Sequence, residues 1–216
     1  MKSRSTFLAL LLLAAPVFHL AADNEQVGTR PPAPKTTQVE ETSAPQESHC
    51  GFVFDRYPPV YFPASCHWMI AASAFGDTLE LEDGSVWKVN SYDSYKALNW
   101  RANDPLMVTQ NTRWFSSYTY RIINRNTGSS IETNLFLGPI KGGEHTRYIN
   151  AMDFIQGALS LTDTTRWEVS SSDQTIFREW LVNDPVIIGY NSGWDSSKES
   201  ILINVSTNTF ARFRQF

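Results

Sequence analysis

Cysteine is nearly absent, with Cys50 and Cys66 the only two in 216 residues. That excludes a disulfide-dense scaffold and any fold built on several zinc sites. No run of lysine or arginine occurs, and the formal charge is −4, so the chain lacks the basic footprint that grips a phosphate backbone. No nucleic-acid partner is expected. The longest apolar run, "FLALLLLAAPVFHLAA", falls short of the roughly 20 residues a spanning helix needs and is interrupted by Pro16. The sequence also contains no G-x-S-x-G, no H-E-x-x-H and no glycine-rich phosphate loop. Its expected function is therefore non-enzymatic, with no cofactor and no metal.

What the N-terminus does contain is Lys2 and Arg4, the apolar block, and an abrupt change to the polar "DNEQ". This order reads as a secretory signal peptide over residues 1–22, cut near Ala22. No cysteine follows closely, so a lipoprotein anchor is not indicated. Removal of Lys2 and Arg4 from 18 basic residues leaves 16 against 22 acidic ones, a balance of minus six. Residues 23–48 are rich in Pro, Thr, Ser and Glu and almost free of large apolar side chains. Such a segment cannot offset its ordering entropy, and it reads as a disordered tether. The expected location is exported, either periplasmic or secreted.

The remainder is written twice. "WRANDPLMV" begins at Trp100 and "WLVNDPVII" at Trp180, and a shift of eighty aligns 79–127 with 159–207 without a gap, 18 of 49 positions being identical. The chain reads as a tandem duplication, with a first β repeat and its cysteine-containing lead-in over 49–138 and a second over 139–216.

Within each copy the period is that of β-structure. In "TLELEDGSVWKV" the apolar residues 79, 81, 87 and 89 alternate on either side of Asp83-Gly84, a hairpin signal. The second copy has Asp163-Thr164-Thr165 there, for which a longer or different turn is expected. "DSYKALNW" and "DQTIFREW" predict a short helix or helical turn capped by Asp93 and Asp173. The triplets Asn103-Asp104-Pro105 and Asn183-Asp184-Pro185 then read as strand-opening devices. The Asn bonds its own backbone, the residue before Pro is extended, and Pro sits where no ladder donor is lost. The rival reading is a repeated ligand site built on the Asp104 and Asp184 carboxylates. "LMV" and "VII", apolar throughout, predict fully buried central strands. About five short strands and one helical turn per copy give an all-β chain of two tandem, small, antiparallel barrel-like domains, SH3-like or OB-like. The lead-ins "CHWMIAASAFGD" and "TRYINAMDFIQG" are expected to pack ahead of each barrel as a strand or short helix.

The pattern D-G-S-x-W-x-V, then W-x-x-N-D-P, then N-x-x-W, over residues 66–216, resembles small repeats in uncharacterised exported proteins of chlamydial-type bacteria. That resemblance implies the β repeat and carries no catalytic residue. The chain departs from broader bacterial D-G-S-x-W proteins at Asp104-Pro105, where Gly-Asp is commoner, and no site is transferred from it.

The chemistry-bearing residues are few. His49-Cys50 and Cys66-His67 could supply four zinc ligands or free thiols, but two cysteines in an exported chain are the simplest inventory for one disulfide. Cys50 and Cys66 would close a loop of about 17 residues, contributing on the order of 3 kcal/mol. His67, next to Cys66 on an extended segment, points away from it and is badly placed to activate a thiol. His145 reads as a surface histidine in the inter-repeat linker. Six of the seven tryptophans form matched pairs, and Trp87/Trp167 and Trp100/Trp180 belong to the core. Trp114 and Trp194 sit in polar loops, either packed between the copies or exposed. Trp114, Phe115, Tyr118 and Tyr120, with Trp194, are the candidate aromatic patch for a protein, peptide or glycan partner. Self-association through edge strands is the alternative, and a hydrolase using Cys66 or Asp104 a further one. A C-terminal Phe216 does not make an outer-membrane barrel, since Arg212 and Arg214 hold the preceding alternate positions.

Overall fold

The computed structural model describes residues 65–193 and 197–216. Cys50, Trp194, and the expected signal and tether lie outside the described residues. The first copy runs β1 (Cys66–Ala72), β2 (Thr78–Leu81), β3 (Val86–Val89), α1 (Ser94–Leu98), β4 (Pro105–Gln110), β5 (Tyr120–Asn124) and β6 (Ser130–Leu137). The second runs β7 (Arg147–Asp153), β8 (Ala158–Leu161), β9 (Arg166–Val169), a 3-10 turn over Ser171–Asp173, α2 (Gln174–Phe177), β10 (Pro185–Tyr190), β11 (Ser200–Asn204) and β12 (Thr209–Gln215). Neighbours pair in the order β1-β2-β3-β6-β5-β4, and β4 returns to β1, closing a six-stranded antiparallel barrel. The second copy follows the same order from β7 to β10 and closes through β10–β7. Each barrel has six strands, not five, because the lead-in is not packed ahead of the barrel. As β1 or β7 it is the strand that closes it, supplying the partner that β4 or β10 would otherwise lack.

The hairpin alternation is inward-facing, with Leu79, Leu81, Trp87 and Val89 all buried. At its tip Gly84 has φ +79° and Thr164, eighty positions on, has φ +69°. Both amides reach back to the carbonyl three residues earlier, Gly84 to Leu81 at 2.9 Å and Thr164 to Leu161 at 3.0 Å. The second turn is therefore the same turn, not a longer one. The Asp before it sets the geometry, Asp83 accepting from the Ser85 amide at 2.8 Å and Asp163 from the Thr165 amide at 3.0 Å. Thr164 carries the strain, since a β-branched residue at positive φ is disfavoured. The core tryptophans also find matched hydroxyls for their indole N–H groups: Trp87 donates to Ser85 and Trp167 to Thr165, while Trp100 donates to Ser129 and Trp180 to Thr209.

Asp93 and Asp173 do not cap their helices, for neither makes a side-chain cap bond. Each carboxylate instead accepts a backbone N–H from the sixth strand of its barrel, Asp93 from Glu132 at 2.9 Å and Asp173 from Arg212 at 2.8 Å. The helix is thereby clasped to a strand 39 residues away in sequence.

The barrels meet along β4 and β10, which pair in parallel at Thr109–Tyr190. This explains why "PLMVTQ" is buried at every position, one side filling its own barrel and the other facing the second. Gly189 lies at a close approach, where an added Cβ would be 2.6 Å from the Val108 carbonyl oxygen. On β11, Leu202 packs within the second barrel, whereas Ile201 and Ile203, with Ile187 of β10, join the core cluster of the first. The two barrels share apolar core and are not beads on a string.

Candidate binding site

The segment 111–119 joins β4 to β5 and is fastened at its root by one buried carboxylate. Glu132 on β6, whose side chain is 7% exposed, accepts from Asn90 Nδ2 at 3.0 Å, Asn111 Nδ2 at 3.2 Å and Ser116 Oγ at 3.2 Å. The Arg113 guanidinium lies 3.3 Å away. Burial alone would raise the Glu132 carboxyl, but these donors outweigh it and hold the group below its ordinary range. Asn111 completes the frame. Its Nδ2 also donates to the Tyr118 carbonyl at 2.9 Å and its Oδ1 accepts the Arg113 amide at 3.1 Å. Asn134 clamps the far limb, accepting from the Thr119 amide at 2.7 Å and donating to the Ser117 carbonyl at 3.2 Å.

On this frame Trp114 is 89% and Phe115 96% exposed. Packing between the copies therefore does not account for Trp114. Tyr118 is half-buried, and Tyr120 is not part of the patch. At 1% exposure it is core, set edge-on to Trp87 at 5.5 Å and to Phe210 at 6.0 Å. The reason is phase: as the first residue of β5, Tyr120 shares its face with Ile122 and Asn124, both buried. The strand alternation in "YRIIN" carried that signal. In the second copy the matching position is Ser200, and there Phe213 of β12 packs at 5.7 Å on Trp180.

Beside the loop lies an open groove of about 460 Å³ between the barrels. Gln110, Thr112 and Thr119 form its first-barrel wall, with Ile176, Thr209 and Phe210 opposite. Thr112 and Thr119 belong to the loop as well as to the groove, so knob and groove are contiguous. Asp173 and Arg212 at its margin neutralise each other, with Nη2 to Oδ1 at 2.7 Å.

The Asn-Asp-Pro triplets lie elsewhere. Pro105 and Pro185 are the first residues of β4 and β10. The polar contact of each turn comes from Asp and not from Asn. Asp104 accepts from the Arg101 amide at 2.9 Å and from the side-chain amides of Asn124 at 2.6 Å and Asn126 at 2.9 Å. Asp184 accepts from the Leu181 amide at 2.8 Å and from Asn204 at 2.7 Å. Asn103 and Asn183 take up positive φ, 64° and 72°, a conformation Asn tolerates. Both carboxylates thus fasten the ends of their strands, the role the strand-opening reading assigns to these turns.

The composition gave no warning of a buried ion pair at the barrel contact. His67, 2% exposed, donates from Nδ1 to Glu82 at 2.6 Å and from Nε2 to the Ile188 carbonyl of β10 at 2.8 Å. Burial would depress the imidazolium, but Glu82 dominates together with Asp83, and the His67 pKa rises to about 9. With both ring nitrogens engaged, His67 is free neither to ligate zinc nor to activate a thiol. Cys66 is buried with Met107, Ile123 and Tyr190, while His49 and Cys50, the other members of the proposed set, are outside the described residues. His145 lies edge-on to Trp68 at 5.0 Å. Among the described residues no group of three His, Cys, Asp or Glu could hold a metal ion, and no helix is long and apolar enough to cross a membrane. No family model matches the chain, and no curated protein or solved structure matches it.

Proposed function

We propose that this chain is an exported, non-enzymatic binding or adaptor module, a duplicated β-barrel in which the first copy's 111–119 loop is the working surface. One observation carries the reading: two of the largest apolar side chains, Trp114 and Phe115, stand almost fully exposed on a loop fastened at its root by a buried carboxylate. Exposed aromatics cost solubility and add nothing to the core, while a rigid aromatic knob is what concentrates binding energy in protein interfaces. In this reading the signal peptide over 1–22 exports the chain, the tether over 23–48 spaces the barrels from their surroundings, and a Cys50–Cys66 disulfide pins the lead-in. The likeness to chlamydial-type exported repeats is consistent with that placement. Capture on peptide and glycan arrays, comparing the native chain with a Trp114→Ala/Phe115→Ala variant of unchanged melting temperature, tests it. Binding lost in the variant is the expected result. Equal signals across every ligand would remove the loop from the function.

The edge-strand route to self-association is the alternative, with the outer ends of β1 and β7 as its edges, since β4 and β10 pair only with Cys66–Trp68 and with Arg147 and Tyr148. Each described strand is paired on both sides, at least in part, because both barrels close.

A further inference from the structure

We infer that the partner of the aromatic loop is a second copy of this chain, Trp114 and Phe115 of each molecule entering the groove between the barrels of the other. The inference deepens the binding reading above and rests on it. The groove, at about 460 Å³, falls within the range of roughly 300–1,000 Å³ that encloses small ligands, so two aromatic side chains fit its scale. Ile176 and Phe210 give it apolar wall suited to rings, and the charged residues at its margin, Asp173 and Arg212, are paired with each other.

Three features select a second copy over an unrelated partner. Knob and groove share Thr112 and Thr119, so a two-fold axis beside the loop sets each knob against the other groove. That exchange closes as a dimer and does not propagate into a filament. Electrostatics agree. The chain is acidic overall at −4, and like chains repel, but the charges at this contact are cancelled locally by the Arg113–Glu132 and Arg212–Asp173 pairs. Area completes the argument. An aromatic side chain buries about 150–250 Å². Two rings from each chain, with matching groove wall, remove about 1,200–2,000 Å², the size of a stable specific interface.

The test is sedimentation equilibrium on the exported chain from about 1 µM to about 1 mM, with melting temperatures as a check on folding. The native protein is expected to form a dimer. Trp114→Ala/Phe115→Ala, which removes the knob, and Thr119→Arg, which fills the groove mouth, are each expected to raise the dissociation constant about a hundredfold or more. Mixed in equal amounts, the two variants retain one intact knob and one intact groove between them, and a heterodimer weaker than the native dimer is expected. A native chain that stays monomeric throughout overturns the inference, as does a dimer that survives the double substitution or variants that fail to associate on mixing. A strict monomer that still captures an array ligand through Trp114 overturns self-association alone. Monomer with empty arrays removes the binding reading as well.

Discussion

Replacing His67 by Gln tests a buried ion pair of the first barrel whose imidazolium also bonds the Ile188 carbonyl of the second. Gln keeps roughly the same reach and retains a donor, but it cannot carry charge or bond Glu82 and the Ile188 carbonyl through one rigid ring. Removing one partner of a buried pair costs about 3–5 kcal/mol, because the Glu82 carboxylate stays buried, with the Trp68 amide at 3.0 Å left as a donor. The pH dependence gives a sharper signature than the size of the loss. The folded His67 pKa is raised from 6.5 to about 9, so its stabilisation is fully present below pH 6.5 and disappears as pH rises through 9. At about 1.4 kcal/mol per pH unit, that window is worth on the order of 3 kcal/mol. Urea unfolding followed by tryptophan fluorescence, run on both proteins between pH 6 and pH 10, isolates the effect. The gap between native and His67→Gln is expected to narrow steadily over that window, while other alkaline titrations cancel in the difference. A gap of constant width would refute the reasoning, for it would mean that His67 acts by shape alone.

Three further outcomes follow from the geometry. Gly189→Ala places a methyl 2.6 Å from the Val108 carbonyl oxygen and 2.8 Å from Ile201, and should cost about 1–3 kcal/mol by thermal or urea unfolding; an unchanged midpoint would mean that the barrels slide apart freely. Thr164→Gly relieves a β-branched residue held at φ +69° and should raise stability by about 0.5–1 kcal/mol in spite of the entropy glycine adds to the unfolded chain, whereas a loss would show the turn to be unstrained. Glu132→Gln can satisfy only part of the donor set that converges there, and hydrogen exchange at 111–118 should rise at least about tenfold with the core amides unaffected; equal protection would place the stiffness of the loop elsewhere.

What could be read along the chain was whatever local chemistry repeats. Alternation at 79, 81, 87 and 89 marked a hairpin because one face of a strand must be buried, and Pro105 and Pro185 marked strand starts because proline has no ladder donor to lose. Where a residue's partner is remote, the same letters misled. An Asp ahead of a short helix looks like a cap, yet Asp93 reaches a strand amide 39 residues on. Tyr120 stood among polar loop residues, and only strand phase separates it from Tyr118. His67 pairs across 15 residues with Glu82 and across 121 with Ile188, distances that no local pattern encodes. The candidate site was legible at its tip, Trp114 and Phe115, and hidden at its root, because Glu132 lies on the sixth strand and its counterpart eighty residues on is Arg212.

That substitution is one sign of how a duplicated barrel divides its labour. Two copies of one sequence start with the same faces, and they can share a core only if at least one gives up its polar surface. The second copy did so: Ile201, Ile203 and Val205 pack on the first barrel, where the first copy has Arg121, Ile123 and Arg125. The described root of its β10–β11 loop is bonded as well. Asn191 accepts from Gln110 at 2.5 Å and Ser192 accepts from Thr109 at 2.6 Å, both across the barrels, while Lys198 is tied to Glu168 of its own barrel at 2.9 Å. Among the described residues the loop of the first copy makes no such bond across the barrels from Arg113, Trp114 or Phe115, and its root is held from within its own barrel by Glu132. Duplication thus leaves one loop root bonded across the barrels and the other held from within its own, and it is the latter loop that carries Phe115 and Tyr118 where the second copy has Asp195 and Lys198 in sequence.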